Sequence, residues 1–118
     1  MTAGELRDAL QETDEVDLTV TGRRSGNEST RPIWFVEEPN RVLLLPVTGS
    51  DSNWYRNIVK TPEIRLTADG AELAATATTI DDPDGVEDVV GKFEAKYGAD
   101  RVEEYYPKRN AAVAVPLS

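Results

Sequence analysis

Cysteine and histidine are both missing from the 118 residues. Their absence excludes disulfides, thiol nucleophiles, histidine–carboxylate relays and metal sites built on imidazole or thiolate. It also argues against hydrolysis by a serine triad, which would have no base. Only Asp and Glu remain to hold a metal, and such ligands favour magnesium or calcium. No apolar run approaches the roughly 20 residues of a membrane span, and the acidic, amphipathic start carries no secretory pattern. The expectation is a cytoplasmic protein with no membrane span, whose chemistry comes from Tyr, Arg, Lys, Ser/Thr, backbone groups or a bound cofactor.

Lysine is scarce as well: there are four, and 22 acids outnumber 13 bases for a net charge of −9. Such a balance resembles a halophilic surface adapted to high salt, and it opposes nucleic-acid binding. The charge is unevenly spread. Between Leu18 and Pro62 six bases face four acids, a local +2, which leaves −11 on the remainder. A basic island on an acidic body outlines a pocket for a small anionic ligand.

The length suits one domain, 1–118, burying roughly two-thirds of its unfolded surface. Leu6 and Leu10 suggest a short first helix over Glu5–Gln11 that closes one end of the core. Val16–Thr21 alternates apolar and polar residues like a half-buried strand, and Ser29–Glu37 is a second strand. Arg41–Val47 is a continuous apolar run, which predicts a strand buried on both faces. A helix over Asn53–Lys60, capped by Ser52 or Asn53, stops before Pro62. Glu63–Ala68 and Ala71–Ile80 form a hairpin about Asp69-Gly70. Asp82-Pro83 opens a longer helix with its stripe on Val86, Val89, Val90, Phe93 and Tyr97, capped by Gly98. A helical turn over Arg101–Tyr106 leads to a last strand, Ala111–Val115. The sum is an α+β fold: a six-stranded, mostly antiparallel barrel with two or three flanking helices.

Two segments carry the functional signal. Thr21–Phe35, TGRRSGNESTRPIWF, reads as an arginine-rich turn between strands, with Gly22 and Gly26 bracketing Arg23, Arg24 and Ser25. Thr48–Thr61, TGSDSNWYRNIVKT, places Trp54, Tyr55, Arg56 and Asn57 at the start of a short helix, with Trp54 and Asn57 as candidates for the cofactor site, Asn57 as a brace of its loop. In this order, TGRRSG, RPIWF and WYRNI resemble the deazaflavin (F420)-dependent nitroreductase family, across about Leu18 to Pro116. Its members are split β-barrels related to the FMN-binding pyridoxamine-phosphate-oxidase-like proteins.

The resemblance implies an oxidoreductase that transfers hydride from reduced F420 to a quinone, nitro or other conjugated acceptor. The family's phosphate-gripping turn falls on Gly22, Arg23, Arg24, Ser25 and Gly26; Arg24 replaces a lysine and adds a fork suited to phosphate. The family's following arginine falls on Ser29, and Arg31, on the same strand face, is placed to supply the charge. The cofactor ring would lie along Pro46, Val47 and Thr48, with Trp34, Tyr105 and Tyr106 shaping the acceptor side. Tyr97 corresponds loosely to another of the family's C-terminal tyrosines. The loop Val47-Thr48-Gly49-Ser50 lacks the lysine often found there, so FMN stands as an alternative cofactor. By analogy with related split barrels the chain is expected to form a homodimer.

Each signal has a plainer reading. The arginine turn could face water, Arg31 could pair with an acid across the sheet, and Trp54 could serve as a core anchor with Asn57 binding backbone. Adjacent Tyr105 and Tyr106 could be packing. Trp34 and Phe35 leave one strand on opposite faces, so only one can face a pocket, and the resemblance selects Trp34. At the level of function, the alternatives are a non-catalytic binder of a flavin-like or haem-like ligand and an acidic protein-interaction domain.

Overall fold

The alternation in the first strand sets the interior. In a computed structural model, which describes residues 3–117, β1 (Glu15–Thr21) buries Val16, Leu18 and Val20 in the main core. Thr19, on its other face, is buried by a 2.7 Å hydroxyl pairing with Thr30. The long β2 (Glu28–Glu38) sends Phe35 into the same core and Trp34 to the opposite side.

The apolar run predicted to be buried on both faces is so. Along β3 (Arg41–Leu44) and the residue after it, Val42 and Leu44 join the main core, while Leu43 and Leu45 join a second one. That second core lies beneath α3 (Pro83–Tyr97) and α4 (Ala99–Tyr105), which contribute Val89, Phe93 and Val102. The last strand, β7 (Ala112–Pro116), divides in the same way: Val113 and Val115 face one core, and the smaller Ala112 and Ala114 face the helices. Leu6 and Leu10 of α1 (Ala3–Leu10) and Trp54, Tyr55 and Ile58 of α2 (Asn53–Lys60) complete the main core.

The remaining strands are β4 (Glu63–Ala68), β5 (Ala71–Thr76) and β6 (Thr78–Ile80), and the sheet order is β5-β4-β1-β2-β3-β7-β6. All its pairings are antiparallel. Strands β5 and β6 follow one another in the chain yet lie at opposite edges, so the sheet curls into a split barrel.

Two expectations are corrected here. The sheet has seven strands, not six, because the stretch Ala71–Ile80 changes partner at Ala77. There the backbone N–H leaves the ladder for the Pro62 carbonyl, at 2.8 Å. No Gly or Pro marks this corner, and the run of small residues continues through it. The described residues also hold four α-helices, not two or three, since the turn after Gly98 is a full helix, α4. Gly98 sits at φ 100°, a conformation that suits glycine and lets α4 start at once after α3. Asp82 caps α3 as expected, accepting the Gly85 N–H at 2.8 Å. None of the described helices is long and apolar enough to cross a membrane.

Candidate functional site

The arginine turn is shaped by its own backbone and then clamped to α2. Gly22 N–H donates to the Asn27 carbonyl at 2.8 Å and Gly26 N–H to the Gly22 carbonyl at 2.9 Å, with Gly26 in the left-handed region at φ 74°. The Ser25 hydroxyl accepts the Asn27 N–H at 3.1 Å. Three positions on one face of α2 then hold Arg23. Asn57 Oδ1 accepts both its backbone N–H (3.1 Å) and its Nη1 (2.8 Å). The Asn53 carbonyl accepts Nη1 at 3.3 Å, and Lys60 Nζ donates to the Arg23 carbonyl at 2.9 Å. Asn57 is buried, so its two bonds to Arg23 are partly shielded from water, while those of Asn53 and Lys60 are exposed. Its side chain braces the turn and does not merely satisfy a helix backbone.

Arg24 and Arg31 are exposed, and neither guanidinium has a hydrogen bond or ion pair among the described residues. The acid closest to them in sequence, Glu28, is engaged elsewhere: Arg65 grips it with two contacts of 2.6 and 2.9 Å and also holds Glu72 at 3.1 Å. The Arg65 guanidinium keeps the Glu28 carboxyl below its ordinary range. The cross-strand ion pair considered for Arg31 is thus made by Arg65 instead. Arg24 and Arg31 thus carry guanidiniums without a partner in a chain of net −9, as does Arg101 on α4, among the described residues.

Beyond the clamp, α2 forms the wall of a cavity of about 110 Å³. Trp54, one residue after Asn53, lines it together with Trp34, Val47, Tyr105, Tyr106 and Glu15. Trp54 is both core anchor and wall, being 4% exposed. Trp34 is stacked on Tyr97 with centroids 4.3 Å apart and planes 8° apart, and Tyr105 leans on it at 4.5 Å. Tyr106 meets both Trp34 and Phe93 edge-on, at 6.1 and 5.9 Å. Burial raises its pKa above the ordinary phenol value, so it keeps its proton at neutral pH. Its hydroxyl has no hydrogen-bond partner among the described residues. Tyr105 is 56% exposed and stands at the lip.

Pro46 is buried behind the loop, whereas Val47 and Thr48 are exposed. Thr48 is fixed by Ser52, whose Oγ accepts its N–H at 3.0 Å and pairs with its hydroxyl at 2.9 Å. Ser52 occupies the N-cap position of α2, but its side chain makes no cap bond.

The cavity thus collects Trp34, Val47, Trp54, Tyr105 and Tyr106; Arg23, Arg24, Ser25 and Gly26 lie in the turn, which Arg23 ties to α2 through Asn57, and Arg31 lies on β2 beside the cavity residue Pro32. Sequence reasoning missed Glu15, which faces Trp34 across the β1–β2 ladder, and the clamping role of Lys60. Only the strand register and the i, i+4, i+7 spacing of Asn53, Asn57 and Lys60 could have signalled them.

The family model for F420H(2)-dependent quinone reductase matches residues 1–113. The chain belongs to that family. No curated protein sequence matches it. Among solved structures it is similar to an F420-H2-dependent reductase, FDR-A, at 20% identity and TM-score 0.68, over 86% of this chain and 93% of that one. A protein solved as a domain-swapped dimer also has 20% identity and TM-score 0.68, over 95% and 93%. HutZ, the heme storage protein from Vibrio cholerae, has 12% identity and TM-score 0.72, over 99% and 90%. At such identities these neighbours establish the fold alone, and that fold serves both a reductase and a storage protein. Family membership assigns the chain to F420-dependent oxidoreduction.

Proposed function

We propose that the protein reduces a quinone, nitro compound or similar conjugated acceptor with reduced F420, using the arginine turn for the cofactor and the aromatic cavity for the acceptor. The observation that carries this reading is the pair Arg24 and Arg31, left without carboxylate partners beside a turn clamped in place by Asn57. The free guanidiniums, the Arg24 and Ser25 N–H groups, which have no acceptor among the described residues, and the Ser25 hydroxyl form a donor set that fits an anionic, phosphate-bearing tail. When bound, reduced F420 supplies the hydride.

The chain's own residues do the rest. Arg24, Arg31 and Ser25 hold the anionic tail, and Asn57, Asn53 and Lys60 keep the turn from relaxing. Trp34 and Tyr105 offer ring faces to a planar acceptor, and Trp54 and Val47 exclude water behind it. The Tyr106 hydroxyl donates a hydrogen bond to the acceptor oxygen that gains negative charge. Because Tyr106 holds its proton tightly, it stabilises that charge while the proton of the reduced product comes from solvent. The rate then comes from orientation and desolvation.

A cavity of about 110 Å³ lies below the roughly 300 Å³ typical of a site that encloses a whole ligand. The cavity therefore encloses only part of an acceptor, and a homodimer, suggested by the neighbour solved as a domain-swapped dimer, is a state that light scattering would detect. Single-turnover bleaching of reduced F420 by menadione tests the activity. Quenching of F420 fluorescence without acceptor-dependent oxidation would make the protein a binder, and tighter binding of FMN than of F420 in high salt would reassign the cofactor.

A further inference from the structure

Among the residues lining the aromatic cavity only Glu15 is charged. It opens β1 directly opposite Trp34 in the antiparallel register, so the two side chains leave the sheet on the same face. Glu15 is exposed, and its carboxylate has no ion pair or hydrogen bond among the described residues. The nearby lysine of α3, Lys96, is turned away to the Phe35 carbonyl at 2.7 Å and lies 3.6 Å over the Phe35 ring. The neighbouring Asp14 gives its backbone carbonyl to the Tyr97 hydroxyl, which adds acidity and no counter-charge at this edge. A free carboxylate thus stands at the rim of the ring against which an acceptor would stack.

We infer that Glu15 makes the acceptor site selective for charge, admitting neutral and cationic planar acceptors and rejecting anionic ones. The inference rests on the acceptor assignment made above. Glu15 pairs across the ladder with Trp34, whereas Arg31 pairs with Leu18, three positions further along β1 and on the other side of Pro32 from Trp34. An unpaired surface carboxylate beside a bound charge changes affinity by about three- to tenfold at low ionic strength, and salt screens the effect.

The experiment compares three nitrobenzenes of similar size, bearing no charge, a carboxylate or a trimethylammonium group, in reduced-F420 turnover. Wild type, Glu15→Gln and the control Glu63→Gln, an exposed acid on β4 outside the cavity, are measured at low and high salt. Glu15→Gln is expected to raise kcat/KM for the anion relative to the neutral compound by about three- to tenfold and to lower it for the cation. Glu63→Gln should leave both ratios as in wild type. A readout free of cofactor is collisional quenching of Trp34 fluorescence, since Trp54 is buried. Relative to Glu63→Gln, which removes the same net charge, Glu15→Gln should raise the iodide quenching constant, lower the caesium one and leave that of neutral acrylamide unchanged. Turnover with ratios unchanged by Glu15→Gln, or iodide and caesium quenching constants equal in Glu15→Gln and Glu63→Gln, overturns the selectivity alone. No turnover with any of the three acceptors overturns the acceptor assignment and the selectivity with it.

Discussion

The Tyr97 hydroxyl spans the β2 backbone at Phe35, 3.1 Å from its nitrogen and 2.8 Å from its carbonyl oxygen. It also lies 2.9 Å from the Asp14 carbonyl, so it accepts one N–H and shares its single proton between two oxygens. This staple, 62 residues long in sequence, fixes the ring on which Trp34 is stacked. Tyr97 is not among the residues lining the aromatic cavity and instead backs Trp34, which is.

The staple has a pH signature. Burial pushes the Tyr97 pKa from 10.0 up to about 12, and burial raises Tyr106 in the same direction. A phenol whose folded pKa is raised contributes stability that is complete below its unfolded pKa and fades as pH climbs toward the folded one. The urea midpoint should hold steady to about pH 9.5 and then fall between about 10 and 12. Tyr97→Phe should cost about 1–2 kcal/mol at neutral pH yet lose less across that alkaline window. Parallel alkaline losses in variant and wild type would show that Tyr97 does not carry the effect.

The Arg23–Asn57 clamp separates bracing from charge. Asn57→Ala leaves the Arg23 N–H without its acceptor and should destabilise the fold by about 1–3 kcal/mol. It should also weaken F420 binding through a loosened turn. Asn57→Asp keeps an acceptor for Arg23 but sets a carboxylate beside the turn, so stability should be largely retained while F420 affinity falls. Denaturation midpoints and F420 fluorescence titrations on both variants decide the matter. Full affinity in Asn57→Asp would mean that no anion binds at this turn.

Much of the barrel was legible because single residues had one physical solution. The apolar run of β3 demanded two cores, and Val42 and Leu43 supply opposite faces of it. Trp34 and Phe35, being adjacent on a strand, had to part. What escaped were features fixed by partners far away in the chain. Ala77 turns the corner because Pro62 offers it a carbonyl, which no local pattern reveals. Glu15 belongs to the cavity only through its register with Trp34. Arg65 looked like an ordinary strand residue, yet by taking Glu28 it leaves Arg24 and Arg31 unpaired.

That division of labour among the arginines gives a direct test. Arg24→Ala should weaken F420 binding at least tenfold, about 1.4 kcal/mol, if its guanidinium meets phosphate. Arg41→Ala removes the same charge, but Arg41 is paired with Glu38 at the β2–β3 turn and should leave the dissociation constant near wild type. Raising salt should narrow the gap between the two variants. Equal weakening in both would reduce the effect to net charge, and an unchanged constant in Arg24→Ala would remove that residue from the site.

Trp34 offers the cleanest division between the two halves of the proposed site, because it lines the cavity and neither Arg24 nor Arg31 does. Trp34→Ala should lower acceptor kcat/KM by tenfold or more, about 1.4 kcal/mol, through loss of a stacking face, with F420 affinity little changed. Trp34→Phe retains a ring against Tyr97 and should recover part of the rate. Some loss of stability is expected in Trp34→Ala, since the indole packs against the second core, so rates are to be compared at a temperature where every variant is fully folded. Equal losses of turnover and cofactor affinity would make Trp34 a core residue whose removal disturbs both halves alike. A rate restored by Phe with affinity constant throughout would fix the acceptor on the Trp34 face.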